Sequence, residues 1–435
     1  MTISNVFYVF EQINEFIWTY IAFVLLTLLG FYFSYTSRFF QIRKFPAILV
    51  SFIQFFQEKT QGRGVHPLQA FFAAIGGCIG IGNVIGIATA IELGGPGALF
   101  WTWIGGLVGM LIQYAEVYLG MKYRIPNQEG RYDGGPMFFL PVAYKRQWIA
   151  PLVAFLLCIY GVEFFTFNVM TESLSSNWKI NEYVVVAVLL VSTLAVGSGG
   201  VKRVGEVCSA IIPLFILLYL SMGIWILTKN AFLLPSLFSQ ILAGAFSSQA
   251  AMSGFAGSTV ALTISMGLSR GAYSGDIGVG YTSIIHAESQ TTHFGRQASL
   301  AIFGIFLDTF VICTMSVLLI LLGEHWKSGI GPTYMAQAAL GDHFPYMQFF
   351  MPLFIFLLGF STVLAYFVVG VKCAKFLSPK WGKVVYYGYA AITLPLFAFV
   401  NHREAFLVMS FSGALLLILN TLGIIRLRKQ VKFHL

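Results

Sequence analysis

Long apolar runs recur along the whole sequence and constrain the fold more than any other feature. A helix needs about 20 apolar residues to cross the roughly 30 Å hydrocarbon core of a bilayer. Of the 435 residues, 57% are hydrophobic and 10% are charged, whereas roughly a quarter are charged in soluble domains. No polar block between the runs is large enough for a separate soluble domain. The sequence therefore predicts an all-α polytopic membrane protein with a single transmembrane domain over residues 1–435.

Eleven apolar windows are present, and we interpret each one as a transmembrane helix. They lie at residues 16–35, 65–90, 97–121, 149–171, 182–198, 205–228, 243–268, 296–322, 346–372, 384–400 and 405–425. Segment 36–63 has basic flanks and an apolar centre that is too short to span. It predicts an interfacial helix on the cytoplasmic membrane surface.

Basic residues are distributed unevenly between the loops. Of the 26 Lys and Arg residues, 22 fall in one alternating set of loops. The opposite loops contain Lys179, Lys229, Lys327 and Arg403. Because basic loops are retained in the cytoplasm, this pattern predicts an N-terminus outside and a C-terminus inside the cell (inner) membrane. The net charge of +9 then reflects orientation and contact with anionic membrane lipid, which excludes nucleic acid as the expected partner. The sequence does not indicate an oligomeric state.

The second window contains a glycine-rich segment, Gly76–Asn83, with four glycines in eight residues. Each glycine weakens a helix by roughly 1 kcal/mol, and unpaired backbone groups in lipid cost several kcal/mol. Such a segment is tolerated where it lines a cavity; close helix packing through Gly76 and Gly80 is the alternative. We favour a break at a binding site. Freed N–H groups there attract a carboxylate, while freed carbonyls and the Asn83 side chain can bind a small cation.

The seventh window repeats this theme with Ser253–Ser258, a run of small residues that interrupts an apolar stretch. Corresponding breaks in two five-helix halves indicate an inverted-repeat transporter. We therefore predict a first repeat over 65–228, a second over 243–425, and an extra N-terminal span at 16–35.

Several motifs make the chain similar to the alanine or glycine:cation symporter family. They are GIGN at 80–83, GGPGALFW at 94–101, GGPM at 134–137, GGVKR at 199–203, GFAG at 254–257 and FSTVL at 360–364. The resemblance extends over most of the chain. It implies a leucine-transporter-type fold and sodium-coupled uptake of alanine or glycine, with sodium as the coupling ion and no organic cofactor.

The resemblance also implies residues for substrate and ion. The implied substrate contacts are Ile81, Gly82, Asn83, Thr166, Ser253, Phe255 and Tyr366. The implied sodium ligands are Gly76, Ile79, Asn83, Ser361 and Thr362. A neutral cage of oxygen atoms suits a hard monovalent cation. For the two hydroxyls, hydrogen bonding to their own helix is the alternative.

The chain also departs from the family pattern at positions near the implied pocket. Ile81 stands where the family has Thr, Thr166 replaces a Gln, Tyr366 replaces a Trp, and a SNEAG-like stretch is Ser274–Gly278. Glu163 adds a carboxylate inside the fourth window, where it could bind a substrate ammonium, take up a proton, or form a structural pair. These differences predict a substrate that is larger or more polar than alanine.

Other functional classes are less well supported by the residues. Proton-coupled transport through Glu163 is the nearest alternative, followed by an intramembrane enzyme or a channel. The sequence has no HExxH or GxSxG motif, and paired breaks in one chain favour alternating access over a channel. We interpret Glu116 and Asp308 as structural, and His286, Glu288 and His293 as part of a solvated loop rather than a metal site.

Overall fold

The computed structural model describes residues 3–59, 62–246, 260–399 and 403–435, where helices follow the apolar windows of the sequence. The helices are α1 (Ile3–Phe16), α2 (Phe23–Thr36), α3 (Phe40–Arg43), α4 (Phe45–Phe55), α5 (Pro67–Cys78), α6 (Ile85–Gly94), α7 (Ala98–Lys122), α8 (Pro136–Tyr144), α9 (Ile149–Tyr160), α10 (Phe164–Trp178), α11 (Glu182–Gly197), α12 (Gly200–Lys229), α13 (Leu234–Phe246), α14 (Val260–Ser274), α15 (Tyr281–His286), α16 (Phe294–Ile305), α17 (Thr314–Leu322), α18 (Pro332–Gly341), α19 (Met347–Leu377), α20 (Gly382–Phe399) and α21 (Arg403–Leu427). Two short strands, β1 (Ile125–Pro126) and β2 (Tyr132–Asp133), pair antiparallel in the loop after α7.

Seven described helical stretches are long and apolar enough to cross a membrane. They are Tyr8–Thr36, Ala98–Lys122, Ile149–Trp178, Gly200–Lys229, Phe294–Leu322, Met347–Leu377 and Leu407–Gln430. Helices α5 and α6 form an eighth candidate, bent by 55° at the break between them. The predicted break in the second window is therefore confirmed.

The count of eleven spans stays a prediction. The fifth window, 182–198, is helix α11 and has 16 residues, slightly fewer than the usual length of a span. The tenth, 384–400, is helix α20, in which three tyrosines and an internal proline lower the apolar character. The seventh, 243–268, lies partly outside the described residues, and its predicted break at Ser253–Ser258 lies wholly outside them.

Helix α19 is the central element of the described part, because 94% of its most apolar stretch is buried inside the protein. It packs against α5, α9, α10 and α12. Its length follows from an almost unbroken apolar sequence whose single proline, Pro352, lies near its start. This packing places the FSTVL motif of α19 beside the break between α5 and α6.

Two local features differ from the expectations. The fourth window is interrupted at Gly161–Glu163, between α9 and α10, with Glu163 in a non-helical conformation (φ −74°, ψ 64°). Segment 36–63 contains two short helices, α3 and α4, where one interfacial helix was predicted, and its position on the membrane surface remains a prediction.

The prediction of a solvated loop around His286 and Glu288 is wrong. Their exposed fractions are 1% and 3%. The Gln297 amide donates to His286 Nδ1 at 2.8 Å, and Lys372 forms an ion pair of 2.5 Å with Glu288. Helix α15 packs against α5, α7 and α19, which removes water from the loop. Hydrogen bonds and an ion pair from neighbouring side chains compensate for the lost hydration of these residues. Their polarity alone therefore predicted the wrong environment.

Candidate substrate and ion site

The break in the second span exposes backbone groups that a continuous helix would pair internally. Helix α5 ends at Cys78, Gly80 is extended, and a 3-10 turn over Ile81–Asn83 precedes α6. The first N–H groups of a helix and the last carbonyls of a helix have no intrahelical partner. The break therefore presents N–H donors from Ile81 and Gly82 next to carbonyl acceptors from the end of α5. These are the groups that bind a carboxylate and a small cation.

Close packing explains why glycines occupy this segment. A Cβ atom on Gly80 would lie 2.6 Å from Thr362 Oγ1, and one on Gly76 would lie 2.8 Å from Cys208 Sγ. The backbone of Gly80 itself (φ −130°, ψ −163°) is accessible to other residues. The glycines thus serve both roles considered for this segment, close helix packing and a helix break, because they bring the break into contact with α12 and α19.

A cavity of about 120 Å³ lies directly beside the break. Ile81, Gly82, Glu163, Thr166 and Tyr366 line it, which brings together five positions that the sequence singled out from three spans. Among the described residues that line the cavity, the one charged side chain is a carboxylate. The cavity therefore brings the broken segment of one span together with a carboxylate from another.

Glu163 is the carboxylate of this cavity. Its exposed fraction is 7%, and the Thr166 hydroxyl donates to its Oε1 at 2.9 Å. The interruption between α9 and α10 places Glu163 immediately before the first residue of α10. A buried carboxylate beside a cavity can accept from an ammonium group that enters the cavity.

Thr362 links α19 to the broken helix. Its Oγ1 lies 3.1 Å from the Gly76 carbonyl oxygen and 3.0 Å from the Leu358 carbonyl oxygen of its own helix. The Ser361 hydroxyl donates to the Leu358 carbonyl at 2.8 Å. Ile79 is fully buried at the end of α5. Thr362 lines the cavity, whereas Gly76, Ile79 and Ser361 do not.

Asn83 points away from the cavity, toward the eighth span. Its amide nitrogen donates to Asp308 Oδ1 at 2.5 Å, and its Oδ1 accepts from the Gly80 N–H at 2.9 Å. Asp308 lies in a π-helical segment, Phe306–Cys313, between α16 and α17. Asn83 thus stabilises the break through hydrogen bonds on the side that faces the eighth span. The remaining two predicted contacts, Ser253 and Phe255, lie outside the described residues.

Three residues next to the cavity were not predicted to belong to the site. The Tyr366 hydroxyl lies 2.5 Å from both carboxylate oxygens of Asp276, and the Tyr160 hydroxyl donates to Asp276 Oδ1 at 2.9 Å. Tyr281 stacks on Tyr366 with ring centroids 4.5 Å apart. Asp276 lies in the SNEAG-like stretch, and its acidic side chain was the sequence feature that could have indicated a place beside the site.

Comparison with known proteins places the chain in a family. Residues 3–435 match the family described as the sodium:alanine symporter family. The chain belongs to that family. Its members are transporters, so this multi-pass membrane protein is not an enzyme.

Two relatives illustrate the similarity. The sodium/alanine symporter AgcS of Methanococcus maripaludis is 30% identical over 93% of this chain and 87% of its own length. The probable sodium/glutamine symporter GlnT of Bacillus subtilis is 28% identical over 96% of this chain and 87% of its own length.

A solved structure agrees with the expected fold. MhsT in complex with L-phenylalanine superposes with a TM-score of 0.50, covers 82% of this chain and 89% of its own, and is 15% identical. At this identity the similarity supports the fold, a leucine-transporter-type arrangement of helices.

Proposed function

We propose that this protein is a secondary active transporter that carries a small amino acid together with sodium by alternating access. One observation carries the proposal. Ile81 and Gly82 of the broken second span line the same cavity as Glu163, so a zwitterion there would have N–H donors for its carboxylate and a carboxylate for its ammonium group. The family, whose relatives AgcS and GlnT are named as sodium symporters, supports sodium as the coupling ion.

The broken segment and the Glu163 carboxylate orient the substrate in the cavity. Its carboxylate binds the N–H groups of Ile81 and Gly82 at the start of the 3-10 turn, where the helix dipole adds positive potential. Its ammonium group binds Glu163, and its side chain faces Thr166 and Tyr366. The Glu163 and Thr166 side chains at the cavity and the departures from the family motifs support an amino acid that is larger or more polar than alanine.

Sodium binds between the end of α5 and helix α19. We assign the Gly76 and Ile79 carbonyls with the Ser361 and Thr362 hydroxyls as its ligands. The short distance between Thr362 Oγ1 and the Gly76 carbonyl oxygen supports this assignment, because two oxygen atoms of one ligand set must converge. Sodium here would neutralise part of the negative charge that Glu163 adds.

The wider arrangement follows from the loop charges and the helix order. We place the N-terminus outside and the C-terminus in the cytoplasm of the cell (inner) membrane. Residues 65–228 and 243–425 form the two repeats, and the span at 16–35 is an addition. Cysteine labelling from each side of sealed vesicles, with single cysteines in loops 122–135 and 323–331 of a cysteine-free variant, tests this orientation.

Uptake into proteoliposomes tests the function. The purified protein is supplied with a panel of radiolabelled amino acids under an inward sodium gradient, and choline replaces sodium in the control. We expect saturable uptake of at least one amino acid that collapses in choline. Uptake that is driven by a proton gradient without sodium would assign the coupling to protons instead. Non-saturable flux would indicate a channel.

A further inference from the structure

Asp276 is a buried carboxylate beside the cavity that has no basic partner among the described residues. It lies between α14 and α15, and its exposed fraction is 1%. Both of its oxygens are 2.5 Å from the Tyr366 hydroxyl, and Oδ1 also accepts from Tyr160 at 2.9 Å. Burial of a charge is expensive unless the charge is well hydrogen-bonded. The hydrogen bonds from the two tyrosine hydroxyls therefore compensate for the burial of this carboxylate.

Tyr366 is held from several directions at once. Its ring stacks on Tyr281 at 4.5 Å and an interplanar angle of 19°, and it contacts the ring of Tyr160 at 5.4 Å. Tyr281 in turn is packed against the broken helix, because a Cβ on Gly77 would lie 2.2 Å from its hydroxyl oxygen. The ring of Tyr366 is thus packed against two other tyrosine rings. The Asp276 carboxylate accepts from its hydroxyl and fixes the end of the side chain.

Tyr366 connects the cavity to a carboxylate that lies outside the cavity lining. Tyr366 and Glu163 line the same cavity, whereas Asp276 does not line it and receives the hydroxyl from behind. A buried hydroxyl without an acceptor carries a desolvation penalty. If Asp276 lost its acceptor strength, the Tyr366 hydroxyl would lose the group that fixes its ring at the cavity wall, and the space beside Glu163 that a substrate needs would no longer be kept open.

We propose that Asp276 is a positioning residue for substrate binding: it holds the Tyr366 hydroxyl away from the cavity and leaves the Glu163 carboxylate available to the substrate amino group. This inference rests on the proposed function. It also assigns a task to the SNEAG-like stretch, in which the acidic residue acts through a tyrosine and does not contact the substrate.

Four variants test the proposal by uptake in proteoliposomes: Asp276→Asn, Tyr366→Phe, the double variant, and Tyr160→Phe. The readouts are KM for the preferred amino acid, the sodium concentration at half-maximal rate, and the thermal midpoint. We expect D276N to raise KM about tenfold, the loss that one charge-assisted hydrogen bond accounts for. The half-maximal sodium concentration should change less than twofold.

The double variant is the decisive comparison. Without its hydroxyl, residue 366 no longer hydrogen-bonds to Asp276, so D276N should raise KM less than twofold in the Y366F background. Tyr160→Phe is the matched control, because it removes the other hydrogen bond of Asp276 outside the cavity. It should lower the thermal midpoint and raise KM less than threefold.

The outcomes separate this inference from the proposed function. A KM increase that is equal in both backgrounds, or a D276N effect confined to the thermal midpoint, overturns the positioning role alone. If the parent protein shows no sodium-dependent amino-acid uptake, both proposals fail. Should D276N not reach the membrane, Asp276→Glu replaces it, since one added methylene displaces the acceptor. A KM increase that Y366F abolishes supports the inference, and one that persists contradicts it.

Discussion

Two glutamates buried in the same protein, Glu116 and Glu163, differ in how their carboxylates are satisfied. Glu116 is fully buried and accepts from the backbone N–H of Gly280 at 3.1 Å, from that of Ser283 at 3.4 Å, and from the Asn420 amide at 2.9 Å. The hydrogen bonds that Glu163 accepts come from Thr166, and its carboxylate borders a cavity.

The difference separates a structural carboxylate from a binding one. Three donors from two distant segments fix Glu116 and join α7 to α15 and α21, so any ligand would have to displace protein donors. Glu163 retains acceptor capacity beside open space. In a membrane protein both residues stand out equally in the sequence, and the number and origin of their donors distinguish them.

The same substitution at both sites is the strongest test of this comparison. Glu116→Gln turns one acceptor oxygen into an N–H₂ group that faces N–H donors, so we expect a loss of about 2–3 kcal/mol of stability. The thermal midpoint of the protein in detergent should fall clearly, together with its yield. An unchanged midpoint would show that the three hydrogen bonds do not hold the fold.

Glu163→Gln should have the opposite profile. Glutamine can still accept from Thr166, and the variant removes a buried charge, so the thermal midpoint should stay level or rise. The ammonium of the substrate loses its charged partner, and KM should rise about tenfold, as expected for roughly 1.4 kcal/mol. Measured uptake with an unaltered KM and an unaltered substrate profile would remove Glu163 from the site.

The ion end of the site can be separated from the substrate end. Thr362→Ala removes an oxygen that lies 3.1 Å from the Gly76 carbonyl, so the sodium concentration at half-maximal uptake should rise about fivefold. Thr171→Ala is the matched control, because among the described residues its buried hydroxyl donates to the Phe167 carbonyl of its own helix. Equal effects in the two variants would mean that Thr362 acts by helix packing and not as an ion ligand.

His286 extends the comparison to a buried base outside the spans. Burial lowers its pKa from the usual 6.5 to about 3, and the Gln297 amide donates to Nδ1 of the neutral ring. The unfolded state therefore binds a proton more readily than the folded state. The stability contribution is complete above pH 6.5 and is lost as the pH falls toward 3.

A pH series measures this effect. Between pH 6.5 and 5.5 the protein should lose about 1 kcal/mol more stability than the variant His286→Gln, which cannot titrate there. The readout is the difference between their thermal midpoints at the two pH values. A difference that does not change with pH would show that the ring is not held neutral.

Much of the fold follows from local sequence. Apolar windows marked the long helices, because the length of a span is set by the membrane thickness. The run Gly76–Asn83 marked the break, because glycines in lipid are costly unless backbone groups find other partners. Glu163 was recognised as a site candidate for a similar reason, since an isolated carboxylate in an apolar window needs a function or a partner.

Other features arise only when distant segments meet. Asn83 turns to Asp308, 225 positions away, and Asp276 meets Tyr366, 90 positions away. Both pairs depend on how helices pack, and neither has a local spacing that predicts it. The sequence by itself determined which segments form long apolar helices and where one helix breaks, because those properties depend on a chain segment and its solvent. The tertiary structure decided which carboxylates are satisfied and which face the cavity, because hydrogen bonding requires partners that packing alone brings within 3 Å.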